Sequence, residues 1–298
     1  MSTTTTTTAT TTLSGSTRED PAPYIPRGPA ETTLNFFVDP EDGSAPFNYV
    51  EQPPPGEPQN NYRKEAHQVT VNDIRGHEDE YSLDKHAFLA LKSVPTSVLD
   101  TQAFDDDDDA FMKNSYYPEV ERIILDNVPG SNRVLIFDHT IRRSRPGAKR
   151  GPVNQTHVDQ TDHAAMLRVR HHVEDPEEAE RLLQGRYRII NVWRPLNGAV
   201  ESGPLAFASA DSVGKDDLVP VQHRYPNRTG QTVGVRHNPQ QRWNYWSGMD
   251  NNERLLLKCS DSRTDVGRAV PHSAFSDPRS PPNAKGRDSI EVRALVFG

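Results

Sequence analysis

The sequence predicts a mainly β fold with flanking helices, built on a double-stranded β-helix core of the jelly-roll or cupin-like kind. Two observations carry that expectation. From residue 133 onward, short β-rich segments follow one another, separated by Gly, Pro and Asn turns, as in a sandwich or barrel. The helical segments gather mainly upstream of most of these strands, where they would buttress a sheet; a jelly-roll variant fits that order.

Residues 1–12 are mostly Thr, with no apolar face to bury, and read as disordered. With the Pro-rich stretch behind them they make an N-terminal segment, residues 1–30, set apart from a single domain over residues 31–298. Thr32–Val38 reads as a strand ended by Asp39-Pro40, either an edge of the main sheet or an arm over the core. Glu51–Gly56 is a break, and His67–Val71 a short strand. Tyr81–Leu91 reads as at least partly helical. Asp105–Asp109 is a block of like charge. It lacks the alternation and glycine of a calcium loop, and mutual repulsion makes it a solvated loop.

Ser115–Leu125 has apolar residues at helical spacing with Pro near its start, and should close near Gly130. Val134–Ile141 is a strand. Thr161–Gln184 carries a helix with charged faces, interrupted near Asp175-Pro176 and ended by Gly185. Tyr187–Arg194 is a strand stopped by Pro195. Pro204–Phe207, Leu218–Gln222, Arg242–Trp246, Arg254–Cys259 and Ser289–Phe297 complete the set. Trp243, Tyr245 and Trp246 read as core before substrate pocket.

Composition narrows the function. The chain has 298 residues, 33% of them hydrophobic. Its mean hydropathy of −0.79 is polar enough that part of it should be unpacked. A net charge of −8 argues against nucleic acid as the main partner. One cysteine, Cys259, leaves no internal disulfide and no Cys-based zinc site. No apolar run approaches a membrane span and no signal-peptide core is visible, so a soluble, cytoplasmic protein without a membrane partner is expected.

Three stretches place a histidine two residues before a carboxylate: His77-x-Asp79, His157-x-Asp159 and His172-x-Glu174. On extended backbone such residues share a face. His77 sits in an acidic, helix-like stretch and His172 among charges on a helix, so both suit a solvated face. His157 follows a β-rich segment and a Gly/Pro loop, as a ligand at the mouth of a sheet would. Two ligands from His157 and Asp159, with a later histidine, would form the 2-His-1-carboxylate triad that holds Fe(II) and leaves positions open. The later candidates are His223, His237 and His272. The first two lie in a polar loop region bearing Gly230 and Gly234, which suits a lid or plain solvation. His272 has apolar neighbours, and alone it could be a core histidine. Fifteen residues beyond it, however, Arg287-x-Ser289 enters the last strand. Arginine offers a bidentate fork for the far carboxylate of a dicarboxylate, and a hydroxyl at i+2 adds a donor on the same face. Each piece is common; their order and spacing together are the signal.

These residues resemble the Fe(II)/2-oxoglutarate-dependent oxygenases. The longer phrases Asn191–Leu196 with Pro204–Ala206, Leu255–Ser262, Pro271–Pro278 and Arg287–Arg293 resemble the fungal asaB-type hydroxylase/desaturase family, which includes gibberellin desaturase-like and cephalosporin methoxylase-related proteins. The resemblance runs from about Thr32 to the C-terminus. One departure is Asp84-Lys-His-Ala-Phe88, where a glycine is expected in place of Ala87. The resemblance implies an iron enzyme of fungal secondary metabolism acting on a small-molecule intermediate. Fe(II) would be held by His157, Asp159 and His272, and the distal carboxylate of 2-oxoglutarate by Arg287 and Ser289. Oxygen would be the cosubstrate, with hydroxylation or desaturation as the outcome.

Arg293, on the same face as Arg287 and Ser289 in a regular strand, is either a substrate-carboxylate ligand or an interior ion-pair partner. Arg194 is the other substrate candidate, reaching either the cavity or the outer face. Two alternatives stand beside this reading: an iron oxidase or cyclase that does not use 2-oxoglutarate, and a non-catalytic jelly-roll binding protein. A hydrolase lacks its Gly-x-Ser-x-Gly elbow.

Overall fold

The computed structural model describes Met1 and residues 24–98, 103–104 and 109–298. Residues 2–23, with the Thr-rich head, and Asp105–Asp108 of the acidic run lie outside the described residues. The strands are β1 (Ala30–Val38), β2 (Phe47–Tyr49), β3 (Arg63–Asp73), β4 (Phe88–Leu91), β5 (Arg133–Arg143), β6 (His157–Val158), β7 (Tyr187–Pro195), β8 (Leu205–Ala208), β9 (Leu218–Arg224), β10 (Thr229–Val235), β11 (Trp243–Tyr245), β12 (Arg254–Asp261), β13 (His272–Ala274) and β14 (Asp288–Phe297). The helices that bear on the site are α1 (Leu83–His86), α2 (Tyr117–Asn127, preceded by helical turns over Asp109–Phe111 and Met112–Tyr116), α3 (Asp162–His172) and α4 (Pro176–Leu183).

The strands form a nine-stranded sheet, ordered β1-β3-β11-β8-β13-β6-β10-β9-β2, and a five-stranded sheet, ordered β4-β12-β7-β14-β5. Strands β7, β12 and β14 of the five-stranded sheet are buried on both faces, and they bury charged residues such as Arg188, Arg254 and Lys258 along with apolar ones. Its outer face packs Ile190, Val192, Leu256, Ile290 and Val292 against Val120, Ile123 and Ile124 of α2. Its inner face packs Trp193, Leu255 and Leu257 with Phe88 and Phe207 between the sheets. Helices α3 and α4 cover one end through Ala165, Val169 and Ala179. The predicted mainly β architecture with buttressing helices is borne out.

Local chemistry explains the helix ends. The Thr161 hydroxyl caps α3 by accepting from the Ala164 N–H at 3.0 Å. Asp175 caps α4 by accepting from the Glu177 N–H at 3.0 Å, and Pro176 occupies its first position. The 161–184 region is therefore two helices, broken where Asp175-Pro176 was read. Thr32–Val38 falls within β1, an outermost strand of the larger sheet. Trp243 and Tyr245 are buried in the core around β11, and the Trp246 indole N–H donates to Glu78 at 3.0 Å.

Tyr81–Leu91 is partly helical, as read: α1 is the helix, and Phe88–Leu91 is a strand paired with β12. The turn between them is Ala87, whose φ of +62° is left-handed. One expectation is corrected in the strands that follow. The region 218–235, read beyond Gln222 as a polar loop, is a β9–β10 hairpin. Gly234 is not a turn residue there: a Cβ on it would meet Phe37 Cδ2 at 2.6 Å. Among the described residues no helix is long and apolar enough to cross a membrane.

The Ala87 methyl is fully buried while its backbone is strained. Removing the strain is worth about 1–2 kcal/mol and losing the methyl costs about 0.8 kcal/mol. Ala87→Gly should therefore shift stability by less than about 1 kcal/mol. Ala87→Val, β-branched at positive φ, should lose about 2 kcal/mol or more. Urea midpoints of the two variants test the pair.

Candidate metal centre

Strands β6 and β13 are neighbours in the larger sheet, and His157 pairs directly with His272. Their rings stand 4.4 Å apart between centroids. Asp159 follows β6 and turns its carboxylate toward both. Its Oδ1 lies 3.3 Å from His157 Nε2 and 3.9 Å from His272 Nε2. The three ligand atoms lie within 4.8 Å of one another, and no other cluster of three or more such groups occurs among the described residues.

The remaining polar atoms of these side chains are spoken for. His157 Nδ1 donates to the Gln155 carbonyl at 2.8 Å and His272 Nδ1 to the Val270 carbonyl at 3.1 Å. A carbonyl only accepts, so each Nδ1 carries the proton and each Nε2 presents a lone pair. Asp159 Oδ2 accepts from Asn191 Nδ2 and from Arg293 Nε, each at 2.8 Å. Asn191 on β7 and Arg293 on β14 are paired across the five-stranded sheet. Asp159 thus joins the two sheets and leaves Oδ1 directed at the histidines.

Electrostatics agree with a cation site. Burial alone would raise the Asp159 pKa, but Arg293 and the two imidazoles outweigh it and hold the carboxyl well below its ordinary range. Burial, reinforced by neighbouring His157, lowers the His272 pKa to about 4, so the ring is neutral at pH 7. Arg293 also reaches Asp138 at 3.1 Å and Glu291 at 2.5 Å. It is an interior ion-pair partner, and the substrate-ligand reading of Arg293 gives way to that role.

Arg287 enters β14 and Ser289 lies within it, both almost fully buried. The Arg287 Nε and Nη1 atoms and the Ser289 hydroxyl have no hydrogen-bond partner. The guanidinium sits over the Trp193 ring at 5.1 Å. A narrow cleft joins these residues to His157 and His272 and includes Arg142, which pairs with Ser289 across β5 and β14. Burial, with Arg142 adding a like charge, lowers the Arg287 pKa to about 10. A buried guanidinium and hydroxyl without partners fit an anion, and the His-Asp-His set fits a divalent cation with imidazole and carboxylate preferences.

Arg194 is corrected. It points to the opposite face of β7, where its Nε donates to the Asn251 carbonyl at 3.1 Å and its guanidinium lies 5.6 Å from the Tyr116 ring centroid. His77 is an exposed partner of Glu80 at 2.8 Å, and His172 stacks on Phe137 at 5.2 Å. His237 stacks on His67 at 3.9 Å, outside the cluster. His223 is half-buried on β9 and lines a cavity that reaches Asp159, rather than standing in a loop. Sequence reasoning missed the roles of Asn191 and Arg142. The signal for Asn191 was its place as a polar residue between Ile190 and Val192, at i, i+2 spacing with Trp193.

Facing β-sheets with a His-Asp-His cluster between them define a jelly-roll protein with an oxygenase-type centre. A family model described as an oxidoreductase/YMDC permease-like domain matches residues 34–297. The chain is 37% identical to hydroxylase/desaturase poxK of Penicillium oxalicum, over 92% of this chain and 93% of that protein. It is 32% identical to the Fe(II)/2-oxoglutarate-dependent dioxygenase nvfI of Aspergillus novofumigatus, over 88% of this chain and 95% of that protein. The solved iron and alpha-ketoglutarate-dependent endoperoxidase NvfI superposes with a TM-score of 0.83 at 29% identity, over 92% of this chain and 99% of that chain. The chain belongs to this oxidoreductase family of fungal hydroxylase/desaturases and Fe(II)/2-oxoglutarate-dependent oxygenases.

The His272 pKa gives a pH dependence. It is lowered in the folded protein, from 6.5 to about 4, so the unfolded chain binds the proton more tightly. Its contribution is present above pH 6.5 and is lost as pH falls toward 4, by up to about 3 kcal/mol at 1.36 kcal/mol per pKa unit. Metal-free protein should lose urea resistance between pH 7.5 and 5, and His272→Gln should lose visibly less. An equal slope in both would remove His272 as the cause.

Proposed function

We propose that this protein hydroxylates or desaturates a small-molecule intermediate of fungal secondary metabolism, with residues 31–298 acting as one oxygenase domain. In this reading His157, Asp159 and His272 hold Fe(II), and Arg287 and Ser289 hold the distal carboxylate of 2-oxoglutarate. The observation that carries it is the pair of buried, partnerless groups beside the cluster: Arg287 Nε and Nη1 with Ser289 Oγ. Leaving such groups unsatisfied costs about 1–3 kcal/mol or more each, which a bound carboxylate recovers. When bound, Fe(II) with 2-oxoglutarate and oxygen supplies the oxidising power, and 2-oxoglutarate is released as succinate and carbon dioxide.

The chain's own residues do the positioning. The Nδ1 bonds hold both imidazoles with Nε2 toward the metal position. Asn191 and Arg293 hold Asp159 Oδ2, so that Oδ1 alone is offered. Trp193 supports the plane of the Arg287 guanidinium and keeps water from that side.

Anaerobic titration with Fe(II) and 2-oxoglutarate, followed by the weak visible charge-transfer band of the chelate, tests this. The band should form in the wild type and vanish in His157→Ala. In Arg287→Ala, 2-oxoglutarate affinity should fall about tenfold or more. Absence of the band in folded wild type would reject the reading. Asn191→Ala leaves the ligands intact but frees one bond to Asp159; Fe(II) affinity should fall about 10–100-fold. Equilibrium dialysis of the variant against Fe(II) measures that.

A further inference from the structure

A cavity of about 450 Å³ lies between α3 and the β9–β10 hairpin, with Asp159 among its lining residues. Its titratable lining is Arg168, Arg228, His163, His171, His223 and Tyr225, and Asp159 is its single carboxylate. That is unusual for a chain with 42 acidic against 34 basic residues. Elsewhere Arg75, Arg133, Arg186 and Arg254 each lie against a carboxylate. Arg168 and Arg228 have no carboxylate at ion-pair distance among the described residues.

Aromatic rings hold these two guanidiniums instead. Arg168 lies 4.8 Å from the Phe137 ring centroid, with Nη1 3.3 Å from His172 Nε2. Arg228 lies 4.0 Å from the Tyr225 centroid. Stacking engages the face of a guanidinium and leaves N–H groups at its edge for a carboxylate fork. The nearest acid that acts on Arg168 is Asp138, which Arg293 already engages at 3.1 Å. The local positive field is felt by His172, whose pKa falls to about 4 through burial and then through His171, Arg168 and Arg228 beside it.

We propose that this cavity is the substrate site and that it selects an organic acid, its carboxylate gripped between Arg168 and Arg228 and its carbon skeleton laid along Leu167 and Tyr225 toward Asp159. The proposal rests on the oxygenase reading above for what happens to the substrate, but not for its capture. A carboxylate held at the cationic wall turns the opposite end of the molecule to the His-Asp-His cluster. The two arginines would therefore fix which carbon reacts.

The test is calorimetric titration of the full chain with 1-naphthoate and with neutral, near-isosteric 1-naphthamide, alone and with Mn(II) and 2-oxoglutarate present. Naphthoate should bind at least tenfold more tightly than the amide under both conditions. In Arg168→Gln/Arg228→Gln the two should come within about twofold of each other, with amide affinity unchanged. Arg287→Gln should keep the preference, because the acid is not in the cleft beside Ser289. Equal binding of acid and amide to the wild type overturns the proposal. So does a preference that survives the double substitution or disappears in Arg287→Gln. A retained acid preference in protein that binds neither Mn(II) nor 2-oxoglutarate would uphold the cavity assignment and reject only the oxygenase reading.

Discussion

The division of labour between the two oxygens of Asp159 is the constraint on which the centre depends. A carboxylate free to rotate would offer either oxygen, or both, to its neighbours. Here Oδ2 is fixed by donors from β7 and β14, and Oδ1 faces the two Nε2 atoms on β6 and β13. Those donors belong to one sheet and the histidines to the other. The geometry of the cluster is therefore set by how the sheets face each other, and the packing of Phe88, Trp193, Phe207 and Leu257 between them maintains it.

Polar character in this chain is not confined to its head. The low hydropathy suggested an unpacked segment, but the described residues bury many charges. Lys258 pairs with Asp261 at 2.6 Å, and Arg186 joins Asp261 at 2.6 Å and Asp84 at 2.5 Å. Arg254, fully buried, reaches Glu119 on α2 at 2.9 Å. Burying such pairs is not in itself stabilising, because desolvation offsets attraction; breaking one partner away is costly. They pin α1, α2 and β12 to defined positions, and as charged residues they lower the mean hydropathy of a chain that is nonetheless packed.

Strands were legible where β-branched and other apolar residues cluster between turn signals, as in Ile189–Trp193, Leu255–Leu257 and Ala294–Phe297. Residues of the cluster were legible as spacing: His157-x-Asp159 and Arg287-x-Ser289 have the two-residue period of a strand, and His272 stands fifteen residues before Arg287. What surrounds them was not. Asn191 and Arg142 meet the site only through cross-strand register, which pairs Asn191 with Arg293 and Ser289 with Arg142. Strand β10 was hidden by Gly230 and Gly234, read as turn residues, although Gly234 is required by the approach of Phe37. Both faces stayed open for Arg194, because a strand's alternation says which residues share a face without saying which face is inner. Ala87 runs the other way: the expected glycine marked a left-handed turn, and the turn persists with an alanine in it.

One consequence follows from the charges along the cleft. Arg142, Arg287 and Arg293 carry three formal positive charges, and Asp138, Asp159 and Glu291 three negative ones. The sum is zero, but it is arranged as a dipole, with the unpartnered Arg287 guanidinium nitrogens at one end and the histidine-facing carboxylate at the other. On the proposed occupancy a divalent cation adds two units at one pole, and a dicarboxylate subtracts two, one of them at the guanidinium pole. Either alone leaves a buried imbalance, which low-dielectric surroundings make expensive. Both together restore neutrality, so their affinities are linked, each raising the other by the same factor.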